Sequence, residues 1–232
     1  MKSFFSRIWR ILWKTALGLF FLSLFLVLLF RFVPVPFTSL MFIRCGQQLA
    51  AGHSLRMTKN WKSLDKISPN LVLAVVASED NNFLEHHGFD FDAIEKAVKF
   101  NEKKKGKKVR GASTISQQCA KNVFLWPGRS YIRKGFEAYF TLLIEIIWGK
   151  KRIMEVYLNV IEMGDGIYGA EAAAQEYFKE SASGLSRAEA AQISALLPNP
   201  RKWNPAKQTA YFIKREVWIL WNMNNIGEVK WE

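Results

Sequence analysis

An all-α domain carried behind one N-terminal transmembrane helix is the fold class this sequence predicts. Three observations predict it. A long apolar run follows a basic N-terminus, later apolar residues recur mainly at helical spacing, and no stretch alternates like a strand with a hairpin turn beside it. Half of the 232 residues are hydrophobic, enough for one sizeable core plus an appendage. The 33 Lys and Arg exceed the 20 Asp and Glu, a formal charge of +13 that favours anionic partners without choosing among nucleic acid, acidic lipid and phosphorylated substrates.

Residues 1–14 carry Lys2, Arg7, Arg10 and Lys14, and the first acid of the chain is Asp65. The anchor is expected over 15–33, with the basic flank in the cytoplasm and the remaining chain outside it. The uncharged residues between Lys14 and Arg31 make only about 24 Å of helix against about 30 Å of hydrocarbon, so both cations would snorkel. A cleaved signal peptide is the competing reading, but the run passes into Arg31 and Val-Pro-Val-Pro-Phe with no small-residue cleavage site. Residues 34–66 lack strong periodicity and read as a connecting region, so the domain proper is expected over 67–232. Cys45 and Cys119 have neither a framework partner nor metal-ligand spacing.

Within that domain, Ser68 as N-cap and Pro69 at the first helical position open an apolar helix that runs toward Glu79. Phe91, Ile94 and Val98 share helical spacing, after which Lys103 to Arg110 supply six basic residues around Gly106, a pattern that predicts a solvated flap. Thr114 and Gln117 fit a capping box. Ile132, Phe136, Tyr139, Leu143 and Ile147 predict an apolar stripe on a long helix. Ile153, Val156 and Val160 continue the helical pattern until Gly164 stops it. A helix over Tyr-Gly-Ala-Glu-Ala-Ala-Ala follows, then one opened by Ser186 and Glu189 and closed by Pro198, then a tryptophan-rich amphipathic helix.

Candidate chemistry gathers in three places. Glu79 would sit where the first helix runs out, at the edge of a core, where partial desolvation raises a carboxylate into the range useful for acid–base work. Alone, an acid pair at a helix end also describes a solvated terminus. Residues 111–118 cluster hydroxyls, amides and helix-start N–H groups that suit sugar hydroxyls or phosphate oxygens, and equally suit an ordinary capped helix. Lys121, Arg129, Arg133 and Lys134 precede Glu137; Arg133 and Glu137, four apart, describe either a surface ion pair or a cationic cradle for a diphosphate.

Taken in order, Glu79-Asp80-x-x-Phe83-x-x-His86-x-Gly88, Gly111-x-Ser113-Thr114-Ile115-x-Gln117-Gln118, Arg133-Lys134-x-x-Glu137 and Lys150-x-x-Ile153-x-Glu155-x-Tyr157-Leu158-Asn159 resemble the signature of the peptidoglycan glycosyltransferases, lysozyme-like enzymes that polymerise lipid II. The resemblance runs from about Ser68 to Pro205. It implies Glu79 as the base that takes the proton of the acceptor sugar's 4-hydroxyl, and Glu137 as the second essential carboxylate. It implies Lys121, Arg129, Arg133 and Lys134 around the departing lipid diphosphate, Ser113, Thr114, Gln117 and Gln118 lining the groove, and Asp80, Phe83 and His86 shaping the base's surroundings. Lys150, Glu155 and Asn159 look structural. Ala112 replaces the commoner second glycine before Ser-Thr, and Cys119 stands where a larger aliphatic residue is usual.

The partners implied are lipid II, the growing lipid-linked strand, the membrane and other cell-wall synthesis proteins, with no nucleic acid. No cofactor is called for; a divalent cation such as Mg²⁺ suits a diphosphate, but no ligand cluster is legible. No transpeptidase domain is expected, since the Ser63 to Lys66 match to a serine-acylase motif lacks its companion motifs. Two other readings are a membrane-anchored muramidase with Glu79 as general acid, and a basic membrane-tethered binding module. The first has no diphosphate for the cations before Glu137, and the second leaves the ordered carboxylates unexplained.

Overall fold

The computed structural model describes residues 2–104, 111–128 and 130–231. The chain divides into two compact units, Met1–Pro34 and Val35–Glu232. The first is a single helix, α1 (Lys2–Phe32), whose stretch Ser6–Phe32 is long and apolar enough to cross a membrane. The basic flank and the apolar run form one continuous helix, so the helix is not limited to the expected 15–33. Its 31 residues span about 46 Å.

In the second unit the stretch expected to be connecting already contains structure. Helix α2 (Ser39–Ala50), strand β1 (Thr58–Lys59) and a 3₁₀ turn at Leu64–Lys66 fall there. Sequence periodicity misses α2 because only Met41 and Gln48 are buried along it. Helix α3 (Pro69–Glu79) follows as expected, with Ser68 Oγ accepting from the Asn70 N–H and Pro69 where no donor is needed. Every residue from Leu71 to Ala77 is buried, and a helix that is apolar all round belongs inside a core.

Among the described residues seven further helices complete the unit: α4 (Phe91–Lys103), α5 (Ile115–Phe124), α6 (Tyr131–Ile147), α7 (Gly149–Val160), α8 (Ala170–Phe178), α9 (Arg187–Leu196) and α10 (Ala210–Ile226). Helix α3 packs against α9 and α10, while α5 packs against α6 and α7. The capping boxes expected at Thr114 and Ser186 are both closed. The expected run to Gly164 ends instead at Val160, and Glu162–Gly164 forms strand β2, which pairs antiparallel with β3 (Ile167–Tyr168); β3 in turn lies parallel to β1. These pieces of two or three residues are too short for an alternating pattern to register, and the unit remains an all-α fold.

Asn159 ties this small sheet region to the helices. Its amide accepts from the Lys62 N–H at 2.8 Å and donates to the Lys62 carbonyl at 2.8 Å, while Glu155 accepts from the Leu64 N–H at 3.1 Å. Lys150 pairs with Glu145 at 2.8 Å and lies over the Phe83 ring.

On two helices the apolar spacing does not mark the buried face. On α4, Phe91 is 75% exposed and Val98 is also exposed, leaving only Ala97 buried. On α6 the polarity is inverted: the inward face is Arg133, Glu137, Thr141 and Ile144, whereas Ile132 is 74% exposed, with Phe136 exposed beside it and Tyr139, Leu143 and Ile147 only partly covered. The helical spacing was legible; which face turns inward was not.

Candidate active site

Helix α3 stops at Glu79 because Asp80 leaves helical geometry at φ −163°, although its N–H still bonds the Val76 carbonyl. The Asp80 carboxylate then takes over as an anchor. It accepts the Ile115 N–H at 2.9 Å, at the positive end of α5, and the His86 Nε2–H at 3.0 Å. His86 Nδ1 accepts the Gly88 N–H at 3.1 Å, so the network assigns the neutral imidazole with its proton on Nε2. The Gly88 carbonyl accepts from Thr114 Oγ1 at 2.7 Å. Gly88 sits at φ +89°, and a Cβ there would lie 2.8 Å from Thr141 Cγ2, which excludes other residues on both counts.

This lock fixes the segment after Glu79 onto α5 and so fixes Glu79 itself. One Glu79 oxygen accepts Gln118 Nε2–H at 3.0 Å; the other faces Arg215 Nη2 of α10 at 3.3 Å. The Tyr157 hydroxyl donates to Gln118 Oε1 at 3.1 Å, which determines which end of the Gln118 amide meets the carboxylate. Burial pushes the Glu79 carboxyl above its ordinary range, against the opposing influence of the Gln118 hydrogen bond and the Arg215 charge. Burial also drives the Tyr157 phenol well up, so the tyrosine stays a hydrogen-bond donor.

One turn along α5 from Gln118 stands Lys121. Burial lowers its pKa and the neighbouring Glu137 opposes that, with Arg133 and Lys134 adding to the lowering. Glu137 is 3% exposed and uses both oxygens in ion pairs, one with Arg133 Nη1 at 2.7 Å and the other with Lys134 Nζ. Arg133 is itself buried, and its Nε lacks a partner among the described residues. The pair is therefore not the solvated surface bridge that the spacing also allowed.

A cavity of about 620 Å³ opens beside Glu79, with Asp80, Ser113, Thr114, Gln118 and Arg215 in its wall. Of the residues singled out in the sequence, Glu79, Asp80, Ser113, Thr114 and Gln118 meet there. Lys121, Arg133, Lys134 and Glu137 form a second cluster beyond it, linked to Glu79 through the field of Lys121. Three of the residues singled out in the sequence stand back from the cavity wall. Phe83 is fully buried, Gln117 is buried with its side chain closing the Thr114 cap, and His86 is turned onto Asp80, so none of the three lines the cavity. Arg129 and residues 105–110, including most of the basic flap, lie outside the described residues. Among the described residues no group of three or more His, Cys, Asp or Glu could hold a metal ion.

Sequence reading missed Arg215 and Trp218, which reach the cavity from α10, and Lys96, which reaches it from α4. The signal for Arg215 was present. Phe212, Ile219 and Met223 are the buried stripe of α10, and Arg215 stands within that stripe at the i+3 position from Phe212.

Comparison with known proteins finds relatives over most of the chain. A family model described as Transglycosylase matches residues 46–224. The chain is 58% identical over 212 residues to a biosynthetic peptidoglycan transglycosylase of Bacteroides thetaiotaomicron, covering 91% of this chain and 85% of that one. To the protein of the same name from Haemophilus influenzae it is 49% identical over 226 residues, covering 97% and 92%. To that from Caulobacter vibrioides it is 57% identical over 189 residues, covering 82% and 79%. The matched span runs from within α2 into α10, taking in the Asp80 lock, the carboxylate of Glu79 and its Arg215 partner, and on that extent the chain belongs to the transglycosylase family.

Proposed function

We propose that the protein is a peptidoglycan glycosyltransferase that polymerises lipid II into glycan strands, releasing undecaprenyl diphosphate. The observation that carries the reading is a single carboxylate, Glu79, held on both oxygens at the wall of a cavity with a cationic cluster on the next helices. A sugar hydroxyl is a poor nucleophile and a lipid diphosphate a highly charged leaving group, so the reaction needs a base on one side and cations on the other. Glu79 removes the proton of the acceptor 4-hydroxyl as that oxygen attacks the anomeric carbon of the donor, which inverts. Lys121, Arg133, Lys134 and Arg129 offset the charge that develops on the diphosphate as the glycosidic carbon–oxygen bond breaks. Glu137 organises these cations, since both its oxygens are already engaged. Ser113 and Thr114 line the acceptor side, and Asp80 with His86 and Phe83 holds the base's surroundings rigid.

The substrate is tethered to lipid, and two features fit that. Helix α1 serves as a single-pass anchor in the inner membrane, its basic end in the cytoplasm and residues 67–232 outside as the catalytic domain. The outward apolar face of α6, Tyr131, Ile132, Phe136, Leu142 and Ile146, suits a lipid surface rather than water. Confining enzyme and substrate to one plane raises their effective concentration. The decisive experiment is incubation of the purified full chain with labelled lipid II. Lengthening glycan and released lipid diphosphate are expected; shortening of added glycan with lipid II untouched would instead assign a hydrolase, and no change in either would remove the enzyme reading.

A further inference from the structure

We propose that Arg215 is a positioning residue for Glu79, gripping one carboxylate oxygen while Gln118 grips the other, so that the carboxylate is held in one plane and in its ionised form. The contact joins residues 136 positions apart, from the end of α3 and the second turn of α10. It is rigidly supported. Seven residues on, Asn222 Nδ2 donates to the Ala77 carbonyl at 3.1 Å, tying the same side of α10 to the last turn of α3. Phe212 and Ile219, on either side of Arg215 in the helical stripe, are buried.

An arginine in such a stripe needs a reason. Its side chain is 18% exposed, and its Nε is buried with no partner among the described residues, an unmet donor tolerated only when another part of the group is useful. The useful part is the terminal nitrogen on Glu79. A carboxylate taken out of water drifts toward its neutral form, which is no base, and the remedy is an opposite charge in contact. The groups facing Glu79 are few. Asp80 beside it favours protonation; the phenol of Tyr157 from α7 stays neutral and donates to Gln118; Lys121 from α5 favours the ionised form more weakly than Arg215; Asp90 and Lys96 reach the same cavity from the α4 side; α9 contributes no charged group to the lining, and Pro198 follows it. Arg215 is the cation within 4 Å of the Glu79 carboxylate among the described residues. With one donor on each oxygen, a lone pair on each remains for the incoming hydroxyl proton.

The effect on rate rests on the proposed role of Glu79 as base; the effect on the carboxylate does not, and the two are read separately. Carboxyl ¹³C shifts of Glu79, assigned by comparison with Glu79→Gln, are followed against pH in the full chain in detergent for the parent, Arg215→Gln, Arg215→Met and Arg215→Lys. Lipid II polymerisation is measured over the same range. The expected result is that the Gln and Met variants titrate Glu79 at higher pH than the parent, with Lys in between. Their polymerisation should fall roughly tenfold or more at pH 6 and recover toward pH 8.5, within the 10² to 10⁴ general-base catalysis supplies. An unmoved Glu79 titration in a folded variant overturns the inference whatever the rates do. A moved titration with an unmoved rate profile sustains it and instead removes Glu79 as the base. Should neither neutral variant fold, the Arg215 guanidinium ¹⁵N signals of the parent decide: they titrate together with Glu79, and not in Glu79→Gln, or the inference is wrong.

Discussion

Asp80→Asn exchanges one carboxylate oxygen for an NH₂ and removes the charge while leaving the shape of the side chain alone, so it isolates what the carboxylate does. Asp80 receives the Ile115 N–H at 2.9 Å and His86 Nε2–H at 3.0 Å to each oxygen, with its side chain almost wholly buried. An asparagine must present an NH₂ in place of one oxygen. Turned toward Ile115, that NH₂ meets a backbone donor; turned the other way, it meets the His86 proton. Imidazole could escape by moving its proton to Nδ1, but Nδ1 already accepts from Gly88, so the conflict is only transferred. One buried donor is left without an acceptor in every arrangement, at about 1 to 3 kcal/mol, and the remaining bonds lose their charge assistance. A total of about 2 to 4 kcal/mol corresponds to a fall in Tm of roughly 5 to 15 °C for a domain of this size. Thermal unfolding followed by circular dichroism reads it. A variant that melts within 1 °C of the parent would show that the lock between the α3 exit and α5 is not what holds Glu79 in place.

Glu79→Gln keeps the fold and loses lipid II polymerisation by on the order of 10² to 10⁴, the contribution of general-base catalysis; normal turnover by the folded variant removes the assignment. Because burial raises the Glu79 carboxyl, ionising it burdens the folded state. The stability linked to its neutral form is present at low pH and lost as pH rises through the raised folded value, so Glu79→Gln gains in Tm over the parent as pH is raised toward 8, and the opposite trend contradicts that sign. Arg133→Ala or Lys121→Ala removes a charge-assisted contact of roughly 1.5 to 3 kcal/mol, about 10- to 150-fold in kcat/KM, and normal use of lipid II by both variants dismisses the diphosphate cradle. Gly88→Ala, strained at φ +89° and pressed against Thr141, melts several degrees below the parent in the same unfolding assay. Neutralising Lys103, Lys104, Lys105, Lys107 and Lys108 weakens substrate capture in a salt-dependent way without abolishing turnover at saturating lipid II; irrecoverable loss would put this stretch in the catalytic apparatus.

How far the sequence could be read depended on how each residue makes its contacts. Helix starts were legible because capping is a local transaction: Ser68, Thr114 and Ser186 bond residues two or three places on. Glu79 was legible because the end of an apolar run is also a local pattern. Arg215 stands out locally only as a charge within the apolar stripe of α10; what it pairs with lies 136 residues away, and the spacing of the stripe does not name that partner. Gln117 and Gln118 show the finer limit. Adjacent and chemically identical, one closes a helix cap and the other orients the base, a division made by the 100° turn of the helix between them.

The inversion of α6 carries the same argument to the level of function. Spacing found the apolar stripe at Ile132 and Phe136, and the usual rule would turn it toward the core. That rule assumes water on the other side. Here the inward face carries Arg133 and Glu137, close to Lys121, and on the proposed function the outward apolar face has a lipid surface rather than water to meet. Replacing Ile132, Phe136 and Ile146 with serine tests it. The inward polar face is untouched, so Tm should hold within a few degrees, while sedimentation of a chain lacking residues 1–34 with anionic vesicles should fall severalfold. Equal vesicle binding by the substituted chain would mean that this face is covered by something other than lipid.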